Sequence, residues 1–401
     1  MRIRSAGPFW PTKNGLISNY PALQRDVSCD VAIVGGGICG SMMAYHLAEA
    51  GVDTIVLDKR DIGYGSTSAS TALVMYEIDM HLTDLIELRG EKPAVRSYKL
   101  CLESIGKIER IMNKVGGDYG FKRKKSLYLA GNDREAAILE KEYQVRRRHG
   151  FKLNYLNRED IERHFSFTRP GALLSRDAAE VDPYLMTHLL LDYCRRSRVK
   201  TFDRTAVVGF EPTSGGALLS TDRGFDVRAK KVVFATGYET SQFLKRDVVK
   251  LKSTYAIVSE PTTGFDGWGY DRCLIWEAKR PYFYLRTTRD KRIMMGGEDE
   301  EFVNPTRRDR LIPTKASALL RKAQSVLPRI NIEIAYAWAG TFGETIDSLP
   351  YVGEVEEFPN AYFALCYGAN GTNFAVMAAE IIRDLYLKRP NPDAELFKFD
   401  R

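Results

Sequence analysis

Three glycines spaced Gly35-x-Gly37-x-x-Gly40 constrain this chain more than any other feature, because of what flanks them. Asp30-Val-Ala-Ile-Val34 leads into them as a short, apolar, β-branched run, which predicts a buried parallel strand. Beyond them Met43, Leu47 and Ala50 share one helical face, and Gly51 supplies a stop. Thr54-Ile-Val-Leu57 predicts a second strand ending at Asp58. In such a unit Gly35 permits a tight turn, Gly37 lets the backbone approach a pyrophosphate, and Gly40 lets the helix pack on the strand. The helix N-terminus offers unpaired N–H groups to phosphates. Asp58, 18 residues beyond Gly40, stands where an acid accepts hydrogen bonds from ribose hydroxyls. This order predicts a Rossmann-like dinucleotide unit; a glycine-rich turn in another α/β fold would not explain Asp58.

The next segment, Gly63-Tyr-Gly-Ser-Thr-Ser-Ala-Ser-Thr-Ala-Leu73, is small and hydroxyl-rich. Placed directly after the ribose-binding strand, it suits a loop lying against a bulky, flat cofactor. The competing reading is an ordinary solvent loop.

Composition narrows the class. At about 150 residues per domain, 401 residues suggest two or three domains. With 44% hydrophobic and 28% charged residues, the chain is neither disordered nor a small disulfide scaffold. A net charge of +7 favours anionic ligands without demanding nucleic acid. The short basic runs, such as Lys122 to Lys125, read as solvated faces or loops. Six scattered cysteines form no Cys-x-x-Cys pair, so no metal is expected, and they suit a reducing cytoplasm. The first residues lack the apolar stretch of a signal peptide. Val31 to Ala48 is uncharged but holds four glycines and reads as strand, turn and helix, so no transmembrane segment is expected.

With these residues the sequence resembles the D-amino acid oxidase-type family of FAD-dependent oxidoreductases, which includes glycine and sarcosine oxidases, glutamylputrescine oxidases and glycerol-3-phosphate dehydrogenases. Val31 to Asp58 resembles the family's FAD fingerprint, and Gly65-Ser-Thr-Ser68 its loop beside the flavin. Val181-Asp182-Pro183 resembles a helix opening, Thr205-Ala-Val-Val208 a strand by the adenine, and Val232 to Gly237 the Ala-Thr-Gly turn. Trp338-Ala-Gly340 through Asp347-Ser-Leu-Pro350-Tyr-Val-Gly353 resembles a late signature, and Tyr367-Gly-Ala-Asn-Gly-Thr-Asn373 the turn that caps the flavin.

The resemblance implies an α/β fold, α+β overall: a Rossmann-like FAD-binding domain with a discontinuous mixed-sheet substrate domain. The implied division is an N-terminal arm at 1–28, an FAD-binding domain at 29–90, 155–250 and 335–401, and a substrate domain at 91–154 and 251–334. It places FAD against Gly35, Gly37, Gly40, Asp58 and Lys59, then Gly65, Ser66, Thr67 and Ser68. Later contacts fall at Val208, Thr236, Gly237, Gly343 and Asp347, and at Asn370, Gly371, Thr372 and Asn373. A helix starting near Thr372 would present its positive end to the flavin. No histidine lies in the loop 63–73, and Cys39 and Cys366 read as small packing residues, so the FAD is expected to be non-covalent.

The implied activity is oxidation of a C–N bond of a small amine or amino-acid derivative, by hydride transfer to flavin N5. Two alternatives stand beside it: an alcohol or glycerol-phosphate-type dehydrogenase, and a flavoprotein that modifies tRNA through the Lys122 to Lys125 patch. In glycine-oxidase-like members an arginine grips the substrate carboxylate; here Phe342 stands in its place and Glu344 follows two residues on, which suits a cationic amine. Candidate catalytic residues are Tyr76, Glu77, Tyr255, Tyr284, Arg286 and Glu344. Tyr282, Tyr284 and Arg286 alternate along one strand and share a face; Arg286 either replaces the missing carboxylate grip or pairs with Glu298 or Asp299. The substrate is a small molecule and nucleic acid is not expected as a partner; no motif specifies the electron acceptor or an oligomeric state.

Overall fold

The computed structural model describes residues 1–401 except 245, 247 and 278–280, and of residues 241 and 242 the backbone alone. Its first sheet runs in the order Tyr351–Glu354, Ala361–Leu365, Asp226–Phe234, Val27–Val34, Thr54–Leu57, Val199–Phe202. The last five pair in parallel, and Tyr351–Glu354 is antiparallel to its neighbour. Parallel strands covered on both faces need apolar residues throughout. Thr54–Leu57 and the second half of Val27–Val34 are buried residue by residue, as the sequence predicts.

The fingerprint helix Ile38–Glu49 packs between helix Pro183–Cys194 and the terminal helix Gly371–Tyr386, which also touches helix Glu91–Val115. Asp182 caps helix Pro183–Cys194, accepting from the Tyr184 and Leu185 amides, with Pro183 in the first turn. The Val181-Asp182-Pro183 reading is therefore met at the level of local structure.

The second sheet runs Ile334–Glu344, Lys250–Ser259, Ile293–Glu300, Phe283–Thr287, Leu274–Glu277, Lys122–Leu129, Gly171–Glu180, Leu73–Met75. Helix Ile312–Val326 buries Leu319 and Ala323 against one of its faces. The sheet membership differs from the expected segments. Leu73–Met75, Gly171–Glu180 and all of Ile334–Glu344 but its first residue fall inside the ranges expected for the FAD domain, yet they hydrogen-bond in the second sheet. The reason is geometric: Leu73–Met75 and Ile334–Glu344 border the cofactor cavity from the second sheet's side, so a motif that reaches the cofactor need not lie in the nucleotide sheet, and Gly171–Glu180 joins that sheet by pairing with Leu73–Met75 and Lys122–Leu129.

The segment 1–28 is an arm laid across both halves. Thr341 N donates to the Ile3 carbonyl at 2.7 Å, and Ser5 N to the Ala339 carbonyl at 2.9 Å. Trp10 Nε1 donates to the Ser70 carbonyl at 2.7 Å. Among the described residues no helix is long and apolar enough to cross a membrane.

Candidate active site

A cavity of about 510 Å³ lies between the two sheets, running from the fingerprint to the second sheet. At its nucleotide end the glycines do what their spacing predicts. A Cβ on Gly35 would stand 2.4 Å from the Ala235 carbonyl oxygen, and one on Gly40 only 1.8 Å from the Gly35 carbonyl oxygen. A Cβ on Gly37 would meet Thr67 Oγ1 at 2.9 Å. Gly40 is thus a packing residue and does not line the cavity, whereas Gly35 and Gly37 do.

Asp58 lines the same end. Its carboxylate accepts from the Gly36 amide at 2.7 Å and the Arg60 amide at 2.8 Å. Burial pushes its pKa up to about 6, against those two hydrogen bonds. A carboxylate has about four acceptor sites, so the two amides leave capacity for further donors. Lys59 and Arg60 both pair with Glu239, at 2.8 and 2.9 Å. Thr205 to Val208, Thr236 and Gly237 complete this wall, with Val208 largely exposed.

The hydroxyl-rich loop is a short helix, Ser66–Ala69. Gly65, Ser66 and Thr67 line the cavity, and Thr67 Oγ1 accepts from the Ile38 amide at 3.0 Å. Ser68 instead donates to the Gly65 carbonyl at 2.9 Å and stays outside the lining. Gly371 and Thr372 bring the start of the terminal helix to the cavity. Glycine cradle, acid at the strand end, and two helix N-termini fit FAD, and these residues would hold it.

Four expected cofactor contacts are structural. Asp347 is fully buried and paired with Arg401 and Arg89, at 2.9 and 2.8 Å. It ties the chain end to the core. Gly343 packs under Tyr238 and Val249. The Asn370 amide donates to the Met75 carbonyl at 2.7 Å, and the Asn373 amide to the Cys101 carbonyl at 2.9 Å. None of the four lines the cavity. Their motifs position the terminal helix from behind, and one-dimensional spacing does not separate that role from contact.

At the other end the lining includes Met75, Glu77, Asp79, Trp276, Tyr282, Tyr284, Asp299 and Phe342. The Tyr284 ring covers Gly296, where a Cβ would stand 2.5 Å from its hydroxyl oxygen. Burial pushes the Tyr284 phenol up to about 12, so it is a neutral donor near neutral pH. Glu77 is 2% exposed; its Oε1 lies 4.0 Å from Arg146, and its Oε2 has no hydrogen-bond partner. Burial raises the Glu77 carboxyl above its ordinary range, with Arg146 opposing. Arg146 is itself fully buried, bonded to Glu142 at 2.7 Å and set against the rings of Tyr76 and Tyr98.

The other catalytic candidates are engaged with the protein itself. Tyr76 stacks on Phe151, and its hydroxyl lies 3.1 Å from Ser175 Oγ, outside the lining. Tyr255 borders the cavity, but its ring packs into the core beneath helix Ile312–Val326, with Lys315 Nζ 5.7 Å from the ring centre. Glu344 pairs with Lys252 at 2.6 Å and does not reach the cavity. Arg286 pairs with neither Glu298 nor Asp299 in the way its spacing suggested. Its guanidinium donates to the carbonyls of Thr71, Val181 and Thr287 at 2.5, 2.8 and 3.1 Å, with Glu180 3.9 Å away. It clamps the flavin loop rather than gripping a substrate. Sequence reasoning missed Asp79, Trp276, Asp299 and Glu239; the last follows the Ala-Thr-Gly turn by two residues, and that proximity was the available signal.

Comparisons with known proteins show the family. The family described as FAD dependent oxidoreductase (DAO) matches residues 30–385. The chain is 27% identical to gamma-glutamylputrescine oxidoreductase of Escherichia coli (strain K12), covering 94% of this chain and 87% of that protein. It is 25% identical to glycine oxidase of Bacillus licheniformis, covering 93% and 97%. The crystal structure of glycine oxidase from Geobacillus kaustophilus superposes with a TM-score of 0.79 at 21% identity, covering 91% of this chain and 96% of that one. With a nucleotide cradle built as the fingerprint requires and a family match spanning most of its length, the chain belongs to the FAD-dependent oxidoreductases of the DAO family.

Proposed function

We propose that this protein oxidises a C–N bond of a small amine or amino-acid derivative, with non-covalent FAD held in the cavity between the two sheets. The observation that carries the reading is the continuity of that cavity: one wall is the glycine cradle with Asp58, the other an aromatic chamber built on the second sheet. Relatives named for amine and glycine oxidation favour C–N chemistry over the alcohol-phosphate reading. Bound FAD supplies the two-electron acceptor. The chain's own residues orient the substrate and exclude water. Trp276, Tyr282, Tyr284 and Phe342 wall the chamber and hold a small substrate in a fixed pose. An amine reacts as its neutral form, and Glu77, with its raised carboxyl and unpartnered Oε2, is the group placed to take the ammonium proton.

The tRNA reading loses its docking patch. Lys122 pairs with Asp271 and Arg123 with Glu109, at 2.8 and 2.6 Å. Lys124 is buried and donates to the carbonyls of Asp271 and Arg272, while Lys125 lies over the Tyr270 ring.

C–N oxidation yields an imine that water splits into a carbonyl compound and a free amine. Incubation with a panel of primary and secondary amines and amino acids, with carbonyl trapping, is therefore the test. A trapped carbonyl from at least one of them supports the reading, and turnover of polyol phosphates alone overturns it. Acid precipitation should leave the yellow colour in the supernatant; a yellow pellet would mean a covalent flavin.

A further inference from the structure

Two of the six cysteines stand apart from the rest. Cys29, Cys101, Cys194 and Cys273 are buried in the cores, where burial pushes their thiols upward. Cys39 and Cys366 are only partly buried, and both line the cofactor cavity. Their sulfurs lie 3.6 Å apart although 327 residues separate them in the chain. Cys39 sits in the first turn of the fingerprint helix; Cys366 follows strand Ala361–Leu365 and leads into the turn before the terminal helix. A disulfide is about 2.05 Å long, so the sulfurs must close by roughly 1.5 Å.

The two thiols are not equivalent. Cys39, in the first turn of the fingerprint helix, is assigned as the attacking group. Cys366 is held protonated by its contact with Cys39 and by burial, which suits the resolving thiol.

We propose that Cys39 and Cys366 are an oxidation site in the wall of the cofactor cavity, forming a reversible disulfide on reaction with hydrogen peroxide. The Cys39 sulfur attacks one oxygen of the peroxide, the O–O bond breaks, and the leaving hydroxide takes the thiol's proton and departs as water, so that Cys39 becomes a sulfenic acid. The Cys366 thiol then gives up its proton and attacks the Cys39 sulfur. The S–S bond forms, the S–O bond breaks, and a second water leaves. Two thiols are oxidised and one peroxide is reduced; an external dithiol reverses the change. The bridge draws the first turn of the fingerprint helix toward the turn before the terminal helix. Both contribute to the cradle, so oxidation also loosens flavin retention.

The test treats the holoenzyme with hydrogen peroxide, blocks the remaining thiols and counts them in denaturant. The six thiols should fall to four and return to six with dithiothreitol, and peptide mapping should join Cys39 to Cys366. Cys366→Ser should leave Cys39 trappable by dimedone, and Cys39→Ser should leave Cys366 unreacted. Flavin in the ultrafiltrate should rise several-fold on oxidation. Persistence of all six thiols, or a mapped bridge between other cysteines, overturns the site. A Cys39–Cys366 bridge with unchanged flavin retention overturns its coupling to the cradle. None of these readouts uses amine turnover, so the outcome is independent of the proposed activity.

Discussion

Asp58 is under two opposed influences. Burial raises its carboxyl to about 6, while ribose hydroxyls donating to it would favour the ionised form. FAD should therefore bind the carboxylate in preference to the acid. Affinity is then full above pH 6 and falls as the pH drops through about 6, by up to about tenfold per unit. Flavin titrations of the FAD-free protein between pH 5 and 7.5 check this, and Asp58→Asn should be weaker and flat across that range. At Gly40 the issue is space alone. A Cβ 1.8 Å from the Gly35 carbonyl oxygen meets backbone that cannot rotate away. Gly40→Ala should cost about 1–3 kcal/mol in urea unfolding and lower flavin content. Arg146 is fully buried between Glu142 at 2.7 Å and Glu77 at 4.0 Å. Arg146→Met strands two carboxylates and should destabilise by about 3–5 kcal/mol, more than Glu77→Gln, which leaves Glu142 in place. At this scale the fingerprint residues were legible because their spacing encodes a turn and a reach. Arg286 was not: strand alternation gives the face it shares with Tyr284, but not that Trp10 of the arm lies against it and three carbonyls occupy it.

Elements were easier to read than their neighbours. The charge pattern of Arg134 to Arg148 predicts a helix, found at Asp133–Arg148, and the alternation over Leu251 to Ser259 and Tyr282 to Arg286 predicts strands, found at Lys250–Ser259 and Phe283–Thr287. Local periodicity determines these. What helix Asp133–Arg148 does was hidden. Its Glu142 accepts from the Leu82 and Thr83 amides at 2.7 and 3.0 Å, capping helix Leu82–Arg89 from another element. The helix layer over the first sheet also buries two histidines. Burial lowers His46 in the fingerprint helix to about 3, and His188 in helix Pro183–Cys194 to about 4. Both are neutral in the folded state, and the unfolded chain takes up their protons near 6.5. Their contribution is present above pH 6.5 and is lost progressively as the pH falls from there to about 4. Replacing both by Gln should flatten that acid-side loss in thermal melts run from pH 7 to pH 4.5.

Across the whole molecule, the cavity belongs to both sheets and to the arm. The sequence motifs near residues 35, 236 and 371 signalled interleaved segments, and the first sheet takes strands from three separated stretches. The exact traffic between the sheets was not legible, because hydrogen-bond partners of strands such as Ile334–Glu344 are set by contacts far along the chain. Pro8, Pro11 and Pro21 predict no more than an arm, yet Ile3 lines the cavity and pairs with strand Ile334–Glu344. Removing residues 1–5 should leave a folded protein that loses flavin several-fold faster on dilution, read by the gain in free flavin fluorescence. The central claim is that this cavity holds FAD and passes it two electrons from a C–N substrate. Anaerobic mixing of the holoenzyme with a panel of amines and amino acids, followed in the flavin's visible band, tests it most directly. At least one of them should bleach the flavin, slowed in Glu77→Gln most strongly at pH values above the raised Glu77 carboxyl and below the pKa of the amine, with the difference shrinking on both sides of that window. Protein that carries no flavin, or a flavin bleached by polyol phosphates and by none of the amines or amino acids, would contradict it.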